Sequence, residues 1–149
     1  MRAVVQRVLK ANVFVEEREL CSIGKGLLVF VAIGKGDNEN SVKYMANKIV
    51  GLRIFPDNDK GSSCSVVDVN GEILLVSQFT LYGDVRKGKR PSFSDAMDSE
   101  NAKKFYEMLI EEIKKYNIPV KTGEFQKMMK INLVNDGPYT ILLDSDKQF

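Results

Sequence analysis

Apolar positions follow two rhythms along the chain. Near its start they crowd and alternate as in strands. Ala3 to Leu9 is rich in valine, Val13 to Val15 follows a short polar break, and Glu19 to Ile23 continues the pattern. Leu27 to Ile33 is apolar without alternation, which predicts a buried strand. Gly-Lys-Gly occurs on both sides of this run, at 24–26 and 34–36. Both copies read as turns, the first a tight connection; an anion-binding nest is the other reading.

The second rhythm is helical. Val42, Met45, Ala46 and Ile49 make one apolar stripe over a helix from about Glu39 to Leu52, with Asn38 or Asn40 as its cap. Pro56 and the polar stretch Asp57 to Ser63 predict a loop. Asp57, Asp59 and Gly61 resemble part of a calcium loop, but the glycine falls one place early and no glutamate closes it. A strand is expected from Ile73 to about Leu81. A second helix is expected from about Ser99 to Tyr116, burying Ala102, Phe105, Tyr106, Leu109, Ile113 and Tyr116. Asp98 or Ser99 caps it and Pro119 stops it. Two strands close the chain: Met129, Ile131 and Leu133 alternate with Lys130 and Asn132, and Tyr139 to Leu143 follows. Strands, helix, strand, helix, strands is the order of a mixed α/β layered domain, not of a regular βαβ winding.

Composition narrows the chemistry. With 149 residues, 44% apolar and 28% charged, one globular domain is expected, from residue 1 to 149. The longest apolar run is too short to span a bilayer, and Met1-Arg2-Ala3-Val4 does not open a signal peptide, so a cytoplasmic location away from membranes is expected. Cys21 and Cys64 have no metal or redox spacing and read as free thiols. A net charge of +2 demands no nucleic-acid partner, so an RNA site would have to be a local patch. The sequence contains no histidine. That excludes a Ser-His-Asp triad, a Cys-His pair and His-ligated zinc. Proton transfer falls to a carboxylate, a lysine, a water or the substrate itself. No metal or cofactor is expected.

Three segments carry candidate chemistry. The strand beginning at Glu72 is apolar from Ile73 to Val76, then gains Ser77, Gln78 and Thr80 toward its carboxyl end, where ligands of α/β sheets gather. It reads either as ordinary strand or as a pocket wall whose backbone N–H groups and Thr80 hydroxyl hold a carbonyl oxygen. Arg86-Lys87-Gly88-Lys89-Arg90 is the densest basic run, either a solvated loop or a contact for a phosphate-rich ligand. Asn135-Asp136-Gly137-Pro138-Tyr139-Thr140 reads as a turn between two strands, with Gly137-Pro138 able to hold a cis peptide.

Four segments, in order, resemble the D-aminoacyl-tRNA deacylases: Met1 to Val8, Ser77-Gln78-Phe79-Thr80-Leu81, Lys87 to Phe93, and Asn135-Asp136-Gly137-Pro138. The resemblance covers nearly the whole chain. It implies a barrel-like domain with two β-sheets and helices packed on one side, paired as a homodimer with active sites at the subunit interface. Ser77, Gln78, Phe79 and Thr80 would line the catalytic pocket. Gly137 and Pro138 would enter a partner's pocket with a cis peptide, leaving no room for an L side chain. Arg86, Lys87, Lys89, Arg90, Phe125 and Met129 would contact the tRNA. The implied reaction is hydrolysis of the ester of a D-aminoacyl-tRNA, and of glycine mischarged on alanine tRNA. Thr80 as nucleophile and assistance by the tRNA's own 2′-hydroxyl are the two mechanisms proposed for the family. An unactivated hydroxyl is a poor nucleophile, so a chain without histidine favours the second, with Thr80 and the Phe79 N–H on the ester oxygen. Two departures stand out. Tyr139 follows Gly-Pro where the family usually has valine. Phe125-Gln126-Lys127 stands where the family usually reads Phe-Gly-Ala, near the terminal adenosine; Lys127 offers a phosphate contact. A non-catalytic RNA-binding module, which would show aromatics on a strand face, and a small-molecule esterase are the competing readings.

Overall fold

A computed structural model describes residues 1–57 and 63–149. Most of the polar stretch after Pro56, including Asp59 and Gly61 of the rejected calcium pattern, lies outside the described residues.

The chain runs β1 (Arg2–Val15), β2 (Arg18–Ile23), β3 (Gly26–Ala32), α1 (Glu39–Gly51), β4 (Phe55–Pro56), β5 (Ser63–Cys64) and β6 (Glu72–Ser77). A 3₁₀ turn (Phe79–Tyr82), α2 (Ser99–Lys114), β7 (Val120–Thr122) and β8 (Lys130–Asp144) follow. There are two sheets of unequal size. A six-stranded sheet curls into a nearly closed barrel, and β4 and β5 form a small antiparallel pair.

The long strand β1 organises the barrel. The polar break expected after Leu9 does not split it, and along one edge it pairs with β8 over nearly its full length. Along the other edge β2 and β3 form one return path in a common register, Ala11 opposite Ile23 and Val8 opposite Gly26. The first Gly-Lys-Gly is therefore a bend in that path and not the tight turn expected. Glu72 clasps the bend, its carboxylate accepting the Gly24 N–H at 2.8 Å. Gly26 has no alternative there: a Cβ would stand 1.9 Å from the Glu72 carbonyl oxygen. β3 then pairs parallel with β6, and β6 parallel with β7.

The two faces of this sheet bury different clusters. Ala3, Val5, Leu27, Val29, Val31, Ile73 and Leu75 meet the stripes of α1 and α2, so both helices pack on one side. Val8, Ala11, Val13, Leu28, Leu74 and Val76 point inside the barrel. The apolar runs of β3 and β6 follow from burial on both faces. Asn38 caps α1 through its side chain and Asp98 caps α2. Phe105 is half-buried and Tyr116, beyond the end of α2, is exposed at 38%.

Two expectations about strands need correction. The strand predicted through Leu81 ends at Ser77. Its partner β3 ends at Ala32, and beyond Gln78, whose N–H reaches the Val31 carbonyl at 2.8 Å, no ladder remains to hold an extended chain. The two closing strands are one strand. Gln6 pairs with Thr140 and Val8 with Asn135, so residues 136–139 form a wide bulge opposite Arg7 and the chain keeps its direction.

Candidate active-site cleft

The carboxyl ends of β3 and β6 open onto a cleft of about 730 Å³. Val31 to Ile33 and Ser77 to Phe79 form its floor. The start of α2, at Ser99 and Ala102, forms one wall, and the segment Phe125 to Met129 forms another. The floor is held from behind. The side chain of Asp37, almost wholly buried, accepts the Gly34 N–H at 2.6 Å and pairs with the Met1 ammonium. The Met97 N–H donates to the Ile33 carbonyl at 2.9 Å.

The wall 125–129 is anchored by a shared acceptor. The Leu75 carbonyl takes the Tyr106 hydroxyl at 2.8 Å and the Gly123 N–H at 3.0 Å. Burial pushes the Tyr106 phenol up, so it stays a neutral donor. The Phe125 ring packs on Tyr106 with centroids 5.7 Å apart. A Cβ on Gly123 would meet the Met129 sulfur at 2.6 Å, so glycine there lets Met129 close the wall. Gln126 sits at φ 63°, the left-handed region, which costs an L side chain about 1 kcal/mol.

The predicted residues divide into three places. Ser77, Gln78, Phe79, Phe125 and Met129 line the cleft. Phe79 is not on a strand but opens the 3₁₀ turn at the rim. It is 58% exposed, with its ring edge-on to Phe93 at 5.0 Å. Thr80 stands just outside the lining, where its hydroxyl accepts the Gln78 amide at 2.5 Å. Gln78 thus ties the floor to Thr80.

The basic run caps an exposed loop closed by reciprocal backbone bonds between Asp84 and Ser92 at 2.8 and 2.9 Å. Its four cations are not equivalent. Arg86 spends its guanidinium on Asp84, at 2.8 and 2.9 Å, and holds that carboxyl well below the usual range. Lys87, Lys89 and Arg90 are exposed beyond it.

Gly137 and Pro138 do not line their own chain's cleft. They form the tip of the β8 bulge, joined by a cis peptide. Arg7, buried beneath them, donates to the Asp136 carbonyl at 3.1 Å, to the Gly137 carbonyl at 3.3 Å and to the Ile54 carbonyl. It also pairs with the Asp136 carboxylate at 3.0 Å. The Tyr139 ring lies 4.6 Å from its guanidinium, so the residue that departs from the family pattern adds a cation–π face to this clasp.

Sequence reading did not single out Ile33, Ala96, Met97 or Ser99 as lining residues. Only the end of the apolar run, followed by Gly34, hinted at an opening there. Among the described residues no helix is long and apolar enough to cross a membrane.

A family model described as D-Tyr-tRNA(Tyr) deacylase matches residues 4–144. Among curated proteins, a D-aminoacyl-tRNA deacylase of Thermosipho melanesiensis is 57% identical over the full length of both chains. One of a Thermoanaerobacter species is 55% identical, also over both full lengths. A solved structure called a c-Myc DNA unwinding element binding protein superposes with a TM-score of 0.90 at 40% identity, covering 97% of this chain and 98% of its own. A probable eukaryotic D-amino acid tRNA deacylase superposes at 0.82 with 16% identity, covering 95% and 97%, and shares the fold.

Proposed function

The chain belongs to the D-Tyr-tRNA(Tyr) deacylase family, and we propose that its cleft performs ester hydrolysis with the substrate's 2′-hydroxyl in place of a protein base. The protein is a hydrolase acting on the ester bond of D-aminoacyl-tRNA. One observation carries the mechanistic reading. Among the described residues lining the cleft there is no carboxylate and no cysteine, the chain has no histidine, and the one lysine, Lys127, is exposed on the 125–129 wall and not on the floor formed by Ser77 to Phe79.

An aminoacyl ester is already reactive, so positioning and oxyanion stabilisation supply the rate. The Phe79 N–H opens the 3₁₀ turn, where the turn itself offers it no acceptor. It and the Thr80 hydroxyl take the ester oxygen, with Ser77 and Gln78 shaping the floor. The tRNA's 2′-hydroxyl orients or deprotonates the attacking water.

Chirality is read by the bulge of a second copy. Gly137 and Pro138 of one protomer enter the cleft of its partner, and their main chain fills the direction in which an L side chain would point. This one wall excludes every L residue at once, while glycine, having no side chain, passes. Glycine mischarged on alanine tRNA is therefore also a substrate. Support comes from the bulge itself, which is clasped by Arg7 and stands away from its own cleft.

Hydrolysis of D-tyrosyl-tRNA but not L-tyrosyl-tRNA is expected, together with loss of hydrolysis when the terminal adenosine is 2′-deoxy. Thr80→Ala should slow the reaction without abolishing it. Complete loss in a folded Thr80→Ala protein would instead make Thr80 the nucleophile. Sedimentation as a monomer at assay concentration would sink the shared-site geometry. The exposed Phe79–Phe93 pair favours one alternative, a non-catalytic module that stacks bases. It predicts binding of deacylated tRNA with no hydrolysis of any ester. A small-molecule esterase would act with no steep salt dependence.

A further inference from the structure

Among the described residues that line the cleft, a single side chain carries a charge, Lys127. No acid on the walls neutralises it. Its backbone N–H donates to the Glu124 carbonyl at 3.3 Å, while its exposed ammonium has no ion-pair or hydrogen-bond partner among the described residues. The backbone beneath it is nonetheless well placed. Gly123 is tied to Leu75, Phe125 is packed on Tyr106, and Gln126 takes the left-handed conformation that turns the chain just before Lys127.

An unpaired, exposed cation at the edge of a cleft attracts a phosphate that comes within a Debye length of it, and salt screens that attraction. The substrate of the deacylase reading, on which this inference rests, is electrically polar. Its amino-acid end carries an α-ammonium, and its nucleotide end carries a phosphodiester. We propose that Lys127 binds the phosphodiester on the 5′ side of the terminal nucleotide and so anchors the nucleotide end of the substrate. The ammonium draws the nucleotide end to the 125–129 wall. Lys127 is thus a positioning residue, and it assigns binding to the phosphate and not to the base.

The test compares wild type, Lys127→Gln and Lys127→Arg on three D-tyrosyl esters. These are an adenosine with no phosphate, a cytidylyl-adenosine dinucleotide with one, and full-length tRNA. In Lys127→Gln, KM for the dinucleotide and the tRNA should rise about tenfold with kcat unchanged. The log–log dependence on salt should become shallower by about one. The adenosine ester should be hydrolysed as by wild type, and Lys127→Arg should restore the wild-type KM. Equal effects on the esters with and without phosphate overturn the proposal. So does an unchanged KM and salt slope on tRNA, or a fall in kcat at constant KM, which would place Lys127 in the chemistry. Failure of the wild type to hydrolyse D-tyrosyl-tRNA would sink the deacylase reading instead, so the two failures are distinguishable.

Discussion

The β8 bulge at 136–139 and the basic loop at 85–91 are both short, both rich in turn residues, and both similar to the same family, yet they are built in opposite ways. The bulge is clasped from below. One buried guanidinium reaches three backbone carbonyls, a carboxylate and an aromatic face. The loop is pinned at its base by Asp84 and Ser92, with one bond inside it from the Gly88 N–H to the Val85 carbonyl, and its lysines project into solvent. The difference matches what each is asked to do in the proposed reaction. Sensing shape requires a surface that does not yield, whereas attracting a polyanion requires only charge within reach.

The strongest way to break this contrast is Arg7→Met. It keeps an unbranched apolar stem but removes the guanidinium and leaves buried carbonyls without donors, so stability should fall by about 3 kcal/mol. Calorimetry should record a Tm lower by roughly 10 °C. Hydrolysis of L-tyrosyl-tRNA should rise relative to the D ester. If the Tm falls while discrimination is untouched, the bulge is structural only.

The loop should behave conversely. Replacing Lys87, Lys89 and Arg90 together by Gln should leave the Tm in place. It should raise KM for aminoacyl-tRNA by tenfold or more and flatten the salt dependence by up to about three log units per log unit. A loss of stability in this triple variant would contradict the description of the loop as solvated.

A smaller effect sharpens the first region. Tyr139→Val restores the residue usual in the family and removes the ring over Arg7. About 1 kcal/mol of stability should be lost, measured by urea denaturation, with chiral selection intact. The smallest effect concerns the loop's base. Arg86 depresses the Asp84 carboxyl, so this pair contributes fully above the ordinary carboxylate pKa of about 4 and is lost as pH falls through the lowered folded value. An NMR titration should find Asp84 still ionised where free aspartate is half protonated. A midpoint near 4 would show that the pair does not persist in solution.

Legibility in the sequence followed the range of the forces involved. α1 and α2 were readable because a 3.6-residue stripe and a capping side chain are local features, and β3 and β6 because continuous apolar runs mark burial on both faces. β7 was missed, since Val120-Lys121-Thr122 is too short to show alternation and owes its place to pairing with β6. The 3₁₀ turn was misread because Phe79, Thr80 and Leu81 favour strands, and only the end of β3 reveals that no partner remains. The bulge was misread as a reversal because its shape depends on Arg7, far upstream in the sequence. Ser77 and Gln78 are legible from their position toward a strand end and Phe79 from the family resemblance, whereas Thr80, read together with Ser77 and Gln78, stands just outside the lining. Ile33 and Met97 carry no chemical signature and were invisible until the loop after β3 was in place.

The pairing of Ala3 with Leu143 has a consequence for biosynthesis. The earliest strand to leave the ribosome waits for the latest one, and until then one of its edges offers unsatisfied N–H and C=O groups to any passing chain. Such distant pairing slows closure and lengthens exposure to aggregation. Folding of this barrel should therefore be completed only after β8 has left the ribosome, and should depend on holding chaperones most while β1 waits for it.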